Sequence, residues 1–434
     1  MIAQRIYQNA QNTPEKVALS YRGAKMSYSD LVSLIEKTKE RFSVSGFSTF
    51  LIQTEAPEAL ASVLAANLIK KRVIVLHKDI PSEQIEKLTQ EYNALYVSAL
   101  DDIPKEVPSK HFPESTFLGI LSSGSEGNSK VIWKTNDNWE KAFTHQSIVF
   151  GISEKDRIFA VDALGYSANL NAVLHGLWQG STVIIGSLKE ASIWTETFMS
   201  ESVSSVFMVP SHARLLINKG VSLSQIKSFV TAGEKLDSVT VKGLMSTFPE
   251  ARITEYYGAA ELGHVSYHQN KDILENPASV GSAFPEVEID IIGNRITVES
   301  PYVSPDYQVL ATVNDLGYFE EDKLILLGRE GRMFNRRGLN IYAQEIENLA
   351  MSSGLVLEVA LVKSIGREKL TLFYTSKREM GTIIKEDLRV YLDQKLPKSK
   401  QPNFFTELQE MPHSEAGKID FKALSKMNEE ELVE

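Results

Sequence analysis

The chain has no cysteine. That excludes disulfides, thiolate metal sites and a cysteine nucleophile, and it fits a reducing cytoplasm. No apolar run reaches the length that spans a bilayer; the richest stretch, Ala59 to Val75, is interrupted by Asn67, Lys70, Lys71 and Arg72. The opening residues, MIAQRIYQNAQNTPEK, lack the apolar core of a secretion signal. A soluble, cytoplasmic protein with no transmembrane segment is the expectation. There is no long basic block, and the formal net charge is -10, so nucleic acid and anionic membranes are poor partners. Internal repeats and low-complexity tracts are also absent from the sequence.

What is present is a long chain, 434 residues with a hydrophobic fraction of 43%, enough for two or three domains with large cores. The first hundred residues alternate helix and strand signals. SYSDLVSLIEKTKERF has helical apolar spacing with Ser27 or Ser29 as cap, EALASVLAANLIKK reads as a second helix, and RVIVLH as a buried strand. SEQIEKLTQEY and ALYVSAL repeat the alternation, which predicts parallel sheets faced by helices. STVIIG, SSVFMVP, SFVTAG and ARITEYYG continue it as short strands, several ending in small residues as ligand-facing strand ends do. From Gly281 the texture changes to EVEIDIIG, RITVES and YQVLATV, which predicts a smaller antiparallel or barrel-like lobe. A basic stretch after Arg329 marks the expected domain boundary, and the rest reads as a small α+β domain with an acidic tail.

Four segments carry candidate chemistry. SSGSEGNSK follows the strand FLGIL and combines glycines, hydroxyls and Lys130 into a donor-rich loop suited to a triphosphate, although Gly124 does not open a Walker A motif. EYYGAAELG places Tyr257, which can stack on a purine, beside Gly258 and four residues before Glu261, a carboxylate able to hold Mg²⁺ against phosphate oxygens. In NDLGYFEEDKLILLGR, Asp315 can accept both ribose hydroxyls and Arg329 can donate to the same sugar or to a phosphate. In MPHSEAGKID, Lys418 is a long cation near the C-terminus able to neutralise charge developing on phosphorus. Taken singly, each also reads as an ordinary turn or solvated loop. His264 and His268 stand four apart and could share a helix face as metal ligands, but no third ligand is evident and no helix is clearly predicted there, so a metal site is not expected.

Together these segments resemble the adenylate-forming superfamily of acyl-CoA synthetases, peptide-synthetase adenylation domains and luciferases. The resemblance runs from NTPEKVALSYRGAKMSYSDL to GKIDFKAL, and TAGEKL adds the segment beside the adenine. It implies an α/β fold: a large N-terminal AMP-binding domain of stacked α/β sheets with a small barrel-like lobe over 1–329, and a mobile α+β lid over 330–434 with Gly331 at its hinge. It also implies two steps: a carboxylic acid attacks Mg-ATP to give an acyl-adenylate, and a thiol then displaces AMP. By resemblance, Ser122, Ser123, Gly124, Ser125, Gly127 and Lys130 would handle phosphates. Gly233, Glu234, Tyr257 and Gly258 would face the adenine, Asp315 and Arg329 the ribose, Glu261 the Mg²⁺, and Lys418 the reacting phosphate.

The chain departs from the family pattern. Glu126 replaces a hydroxyl residue, Ser129 a proline, Ala260 a threonine, Asn314 a glycine and Phe421 an arginine, while glycine stands at the hinge position 331. Peptide-synthetase domains hold an amino group with an aspartate early in a helix; the best-aligned position here is Ser167, next to Tyr166, and Asp162 falls too early. The acid pocket is therefore expected around Tyr166, Ser167, Gly263 and His264, for an acid without an α-amine. RRGLNIYAQEIE resembles the form common in CoA ligases, and Arg336 and Arg337 could meet CoA phosphates. The leading reading is an acyl- or aryl-CoA ligase using ATP, Mg²⁺ and CoA. A stand-alone enzyme loading a carrier protein's phosphopantetheine is the alternative, and a catalytically weak adenylate-binding relative, suggested by Glu126 and Ala260, the third.

Overall fold

The computed structural model describes residues 1–103, 115–122, 130–217, 219–307, 311–336, 339–363, 369–376, 384–413 and 419–430. Two large sheets dominate. The first has nine strands, with six parallel ones in its body: Val17–Tyr21, Thr182–Gly186, Arg157–Val161, Ser205–Phe207, Ser228–Ala232 and Arg252–Ala259. Antiparallel strands Gly263–Gln269 and Ser282–Ala283 extend it beyond Arg252–Ala259. The second has five strands, and its last pair, Thr116–Ser122 and Lys130–Thr135, is an antiparallel hairpin around the Ser/Gly loop.

Local chemistry explains the helices between the sheets. Ser27 caps the helix Tyr28–Val44: its hydroxyl accepts from the Asp30 amide at 3.1 Å while the Asp30 carboxylate accepts from the Ser27 amide at 2.9 Å. The helix buries Leu31, Ile35 and Phe42, and Phe42 stacks on Phe50 with ring centroids 3.8 Å apart. The apolar stretch from Ala59 onward is the helix Ala56–Ile69, buried on almost every side and stopped at Lys70, whose φ is 57°. It is hydrophobic all round because it lies in the core that both sheets share. No described helix is long and apolar enough to cross a membrane.

The antiparallel lobe consists of Glu288–Ile292, Arg295–Glu299, Asp315–Glu320 and Lys323–Arg329 in one four-stranded sheet. Of the expected strand YQVLATV, residues 308–310 lie outside the described residues, and Ala311 forms a bridge to Val298. From Met333 onward come a two-stranded ribbon, a three-stranded sheet and the helices Ala343–Ser352, Ile384–Lys395 and Phe421–Glu430. Their apolar clusters contain no residue before Phe334. This C-terminal unit meets the rest where Ala343–Ser352 packs on Lys323–Arg329 and on the helix Ser238–Thr247. The fold is thus mixed α/β with stacked sheets and a small α+β unit, as expected.

Two histidines are sealed inside. Burial pushes His175 and His264 down to about 3 from 6.5, and at His264 the neighbouring His175 and Lys134 charges add to the effect. Below pH 6.5 the unfolded chain binds protons that the folded chain refuses until near pH 3, so stability is full above that window and falls within it. Urea unfolding at pH 5 should therefore show a lower midpoint than at pH 7.5, and equal midpoints would contradict buried neutral imidazoles.

Candidate active site

The strand Arg252–Ala259 delivers the site's main side chains. Its partner strand slips register between Tyr257 and Gly258, and a Cβ on Gly258 would sit 2.3 Å from the Gly263 carbonyl oxygen. Only glycine allows that approach. The turn that follows sets Glu261, half-buried, with its backbone carbonyl accepting from the Ser304 amide at 2.8 Å. Ala260 is half-buried and packs on the large core, so its methyl contributes to packing.

Tyr257, Asp315 and Arg329 come together, although 58 residues separate the first two. The Tyr257 hydroxyl donates to Asp315 Oδ2 at 2.7 Å, and Arg329 Nε donates to Oδ1 at 3.1 Å. Asp315 opens the strand Asp315–Glu320 directly opposite Arg329, which closes Lys323–Arg329, so the pair is fixed by strand register. Burial, followed by the Asp315 charge, raises the Tyr257 hydroxyl far above its usual range, so it stays protonated and donates. Each carboxylate oxygen keeps a second lone pair. The buried Asp315 can therefore still accept two hydroxyls from an outward-facing ribose, on a carboxylate whose plane is already set.

Around this frame, Ser122 pairs with Lys130 across the hairpin and donates to its carbonyl at 3.3 Å. Lys130 Nζ reaches the Tyr307 hydroxyl at 2.9 Å and lies 4.9 Å from that ring's centroid. That hydrogen bond first, then the charges of Glu261 and Asp306, raises its pKa, so it is a standing cation on the Glu261 side. Gly233, φ 91°, ends the strand Ser228–Ala232, and Glu234 lies 3.8 Å from Arg214 Nη1. Beside it, buried Glu255 accepts from Lys235 Nζ at 2.6 Å and from the Leu236 amide at 2.6 Å, with His268 Nε2 at 2.5 Å. This network clamps the TAGEKL segment to the strand that carries Tyr257.

Ser123, Gly124, Ser125, Gly127 and Lys418 lie outside the described residues, as do Glu126, Ser129 and Arg337. The ends of the Lys418 segment are described. His413 bridges Ile419, the Asp420 amide donates to the Pro412 carbonyl at 2.8 Å, and the Phe421 ring lies 3.7 Å from the guanidinium carbon of Arg332. Arg332 follows Gly331 and binds Glu347 at 2.6 Å, so through the Phe421 ring it braces the stretch after Arg329 against the start of the helix Phe421–Glu430. Nothing lies within 4 Å of a Cβ built on Gly331; the position is open rather than crowded.

Of the residues expected around the acid, Tyr166 stands at the N-cap position of the helix Ser167–Gln179 and stacks on His77 with centroids 4.0 Å apart. Asp162 is occupied by Lys78 Nζ at 2.6 Å and the Tyr21 hydroxyl at 3.1 Å. Gly263 and His264 open the strand Gly263–Gln269; there is no helix here, and the two histidines serve different neighbours. His264 packs on Tyr256, centroids 4.5 Å apart, whereas His268 binds Glu255. Arg336 is committed to the Ser399 and Gln401 carbonyls and Asn403. Among the described residues no cluster of three or more His, Asp or Glu could hold a metal. A magnesium held by Glu261 would complete its shell with water and phosphate oxygens, which suits a metal that arrives with its nucleotide.

Sequence reasoning missed three features here: Tyr307, the Glu255 clamp, and Lys134, buried on the hairpin strand and donating to the Tyr302 carbonyl at 3.3 Å. Burial pushes Lys134 down to about 7 against the opposing pull of Glu261 and Asp306. A lysine four residues past Lys130 carries no signal of burial in the sequence.

Comparisons with known proteins agree on kind. The family model described as AMP-binding enzyme matches residues 36–300. An uncharacterised acyl-CoA ligase, YhfT, of Bacillus subtilis is 28% identical over 346 residues, 74% of this chain and 70% of that protein. Among solved structures, the anthranilate CoA ligase AuaEII in complex with anthranoyl-AMP superposes with a TM-score of 0.88 at 15% identity, covering 100% of this chain and 98% of that one. The O-succinylbenzoate coenzyme A synthetase MenE of Bacillus subtilis, in complex with AMP, gives 0.83 at 18% identity, covering 97% of both chains.

Asp315→Asn keeps the side chain's shape but removes its charge. Calorimetric titration should show AMP binding weakened about tenfold or more, the usual size for losing a charged acceptor. An unchanged affinity would remove Asp315 from the nucleotide site.

Proposed function

The chain belongs to the AMP-binding enzymes, and from that premise we propose that it activates a carboxylic acid with ATP and transfers the acyl group to the thiol of CoA. The observation that carries this reading is the bonded frame of Tyr257, Asp315 and Arg329 beside Glu261 and Lys130. It supports a ring for the purine, acceptors for the ribose and, in Lys130 and Glu261, a cation and a carboxylate for the phosphates and their metal. The names of its similar proteins support the acid–thiol ligase class.

Residues of this chain divide the work as follows. Tyr257 lies against the adenine, its ring held in plane by the bond to Asp315. Gly258 lets the backbone approach the nucleotide. Asp315 and Arg329 fix the ribose. Lys130 and the hydroxyls of Ser122, Ser123 and Ser125 hold the β- and γ-phosphates. Glu261 would hold Mg²⁺, which supplies charge neutralisation along the phosphates. In the first step a carboxylate oxygen of the acid attacks the α-phosphorus and pyrophosphate leaves. Lys418 meets the negative charge that builds on the α-phosphate oxygens. In the second step the CoA sulfur attacks the acyl carbon and AMP leaves. Residues 330–434 act as a lid hinged at Gly331, so that Lys418 withdraws before the thiol enters.

Carboxylate-dependent pyrophosphate release, followed by thioester formation with CoA or with a phosphopantetheinylated carrier protein, tests the reading. Lys418→Ala should lower pyrophosphate release at least about a hundredfold while leaving the thiol step from supplied acyl-adenylate nearly intact. No release above background with a broad acid panel, and no effect of the substitution, would leave only a binding role. Transfer to the carrier protein and not to CoA would overturn the acceptor.

A further inference from the structure

A buried polar bridge joins the helix that begins at Ser167 to the strand that begins at Gly263. Gln146, on the helix Asn136–Phe150, reaches between the helix Ser167–Gln179 and the strand Gly263–Gln269. Its amide nitrogen lies 2.6 Å from Asn171 Oδ1 and 2.7 Å from His264 Nε2. Asn171 is one helical turn beyond Ser167, and His264 adjoins Gly263, so the bridge ties together the two walls assigned to the acid. All three side chains are buried, at 1%, 6% and 5% exposure for Gln146, Asn171 and His264. Gln146 Oε1 is also buried and has no hydrogen-bond partner among the described residues.

Among the described residues, the groups next to the bridge are closely packed. The His264 ring packs between Tyr256 and Phe284, with centroids 4.5 and 4.9 Å away. The cavity between Asn171, His175, Phe207 and Tyr256 holds about 10 Å³, the room of a single water at most. A long apolar chain would have to part the bridge and leave buried amide groups with no partner, a penalty that its methylenes cannot repay with hydrogen bonds. A short acid ending in a hydroxyl or amide meets the free valence of Gln146 instead.

We infer that the acid taken by this protein is short and carries an uncharged hydrogen-bonding group at its far end, which Gln146, held by Asn171 and His264, recognises. The inference rests on the proposed acid activation and on Ser167 and Gly263 as walls of the acid site. It names Gln146 as the specificity-determining residue.

The test uses the full chain with Mg-ATP and hydroxylamine trapping of acyl-adenylate from 4-hydroxybutyrate, succinamate, butyrate, succinate, octanoate and palmitate. The hydroxy or amide acid should exceed butyrate and octanoate in kcat/KM by about tenfold or more, as expected where a buried hydrogen bond is made or lost. Gln146→Leu should shrink that ratio to near one. Preference for octanoate or palmitate would overturn the inference. So would preference for succinate, which would assign recognition to the nearby cation of Lys134 instead. If no acid is activated, the proposed activity fails, and the pocket is then read by calorimetry with the matching acyl-sulfamoyl adenosines. The same ranking there supports the inference, and an equal or reversed ranking overturns it.

Discussion

The carboxylate of Asp315 is the contact on which the rest of the site depends. It is nearly buried, and an unpaired carboxylate in that position would be costly. Two donors from two different strands resolve the cost: the Tyr257 hydroxyl and the Arg329 guanidinium. In meeting that need the fold also fixes the orientation of an aromatic ring. Under the proposed function, structure and nucleotide recognition share the same three groups. The nine-stranded sheet and the antiparallel lobe meet at this point, because Tyr257 belongs to the first and Asp315 and Arg329 to the second.

A second set of buried polar groups supports the frame. Glu255, Lys235 and His268 hold the TAGEKL segment, and Gln146, Asn171 and His264 tie two helices to the strand Gly263–Gln269. Buried polar networks of this kind are favourable only when nearly every member is paired. Most members here are; Gln146 Oε1 and His268 Nδ1 are buried without a partner among the described residues. The Arg332 contact with the Phe421 ring offers a physical reason for an aromatic at that position.

Much of the fold was legible in the sequence. The helix capped by Ser27, the helix Ser82–Tyr92 and the short parallel strands follow from apolar period and caps, which act locally. The family resemblance located Tyr257, Asp315 and Arg329, and strand register then joined them. What could not be read were pairings at long range. Gln146 lies 118 residues from its partner His264, and Lys134 is buried by a lobe that begins far downstream. Spacing alone does not distinguish a helix face from one side of a strand, and the histidine pair lies on the strand Gly263–Gln269. Residues of the phosphate loop and Lys418 fall outside the described structure, so their roles rest on the resemblance.

The account turns on one bond: the acid's own oxygen must join the α-phosphorus of ATP. Turnover with an acid labelled with ¹⁸O in its carboxylate, followed by mass spectrometry of the nucleotide product, reads that bond directly. One ¹⁸O atom carried into AMP is the predicted result. AMP without label, or label appearing in pyrophosphate or phosphate, would contradict it.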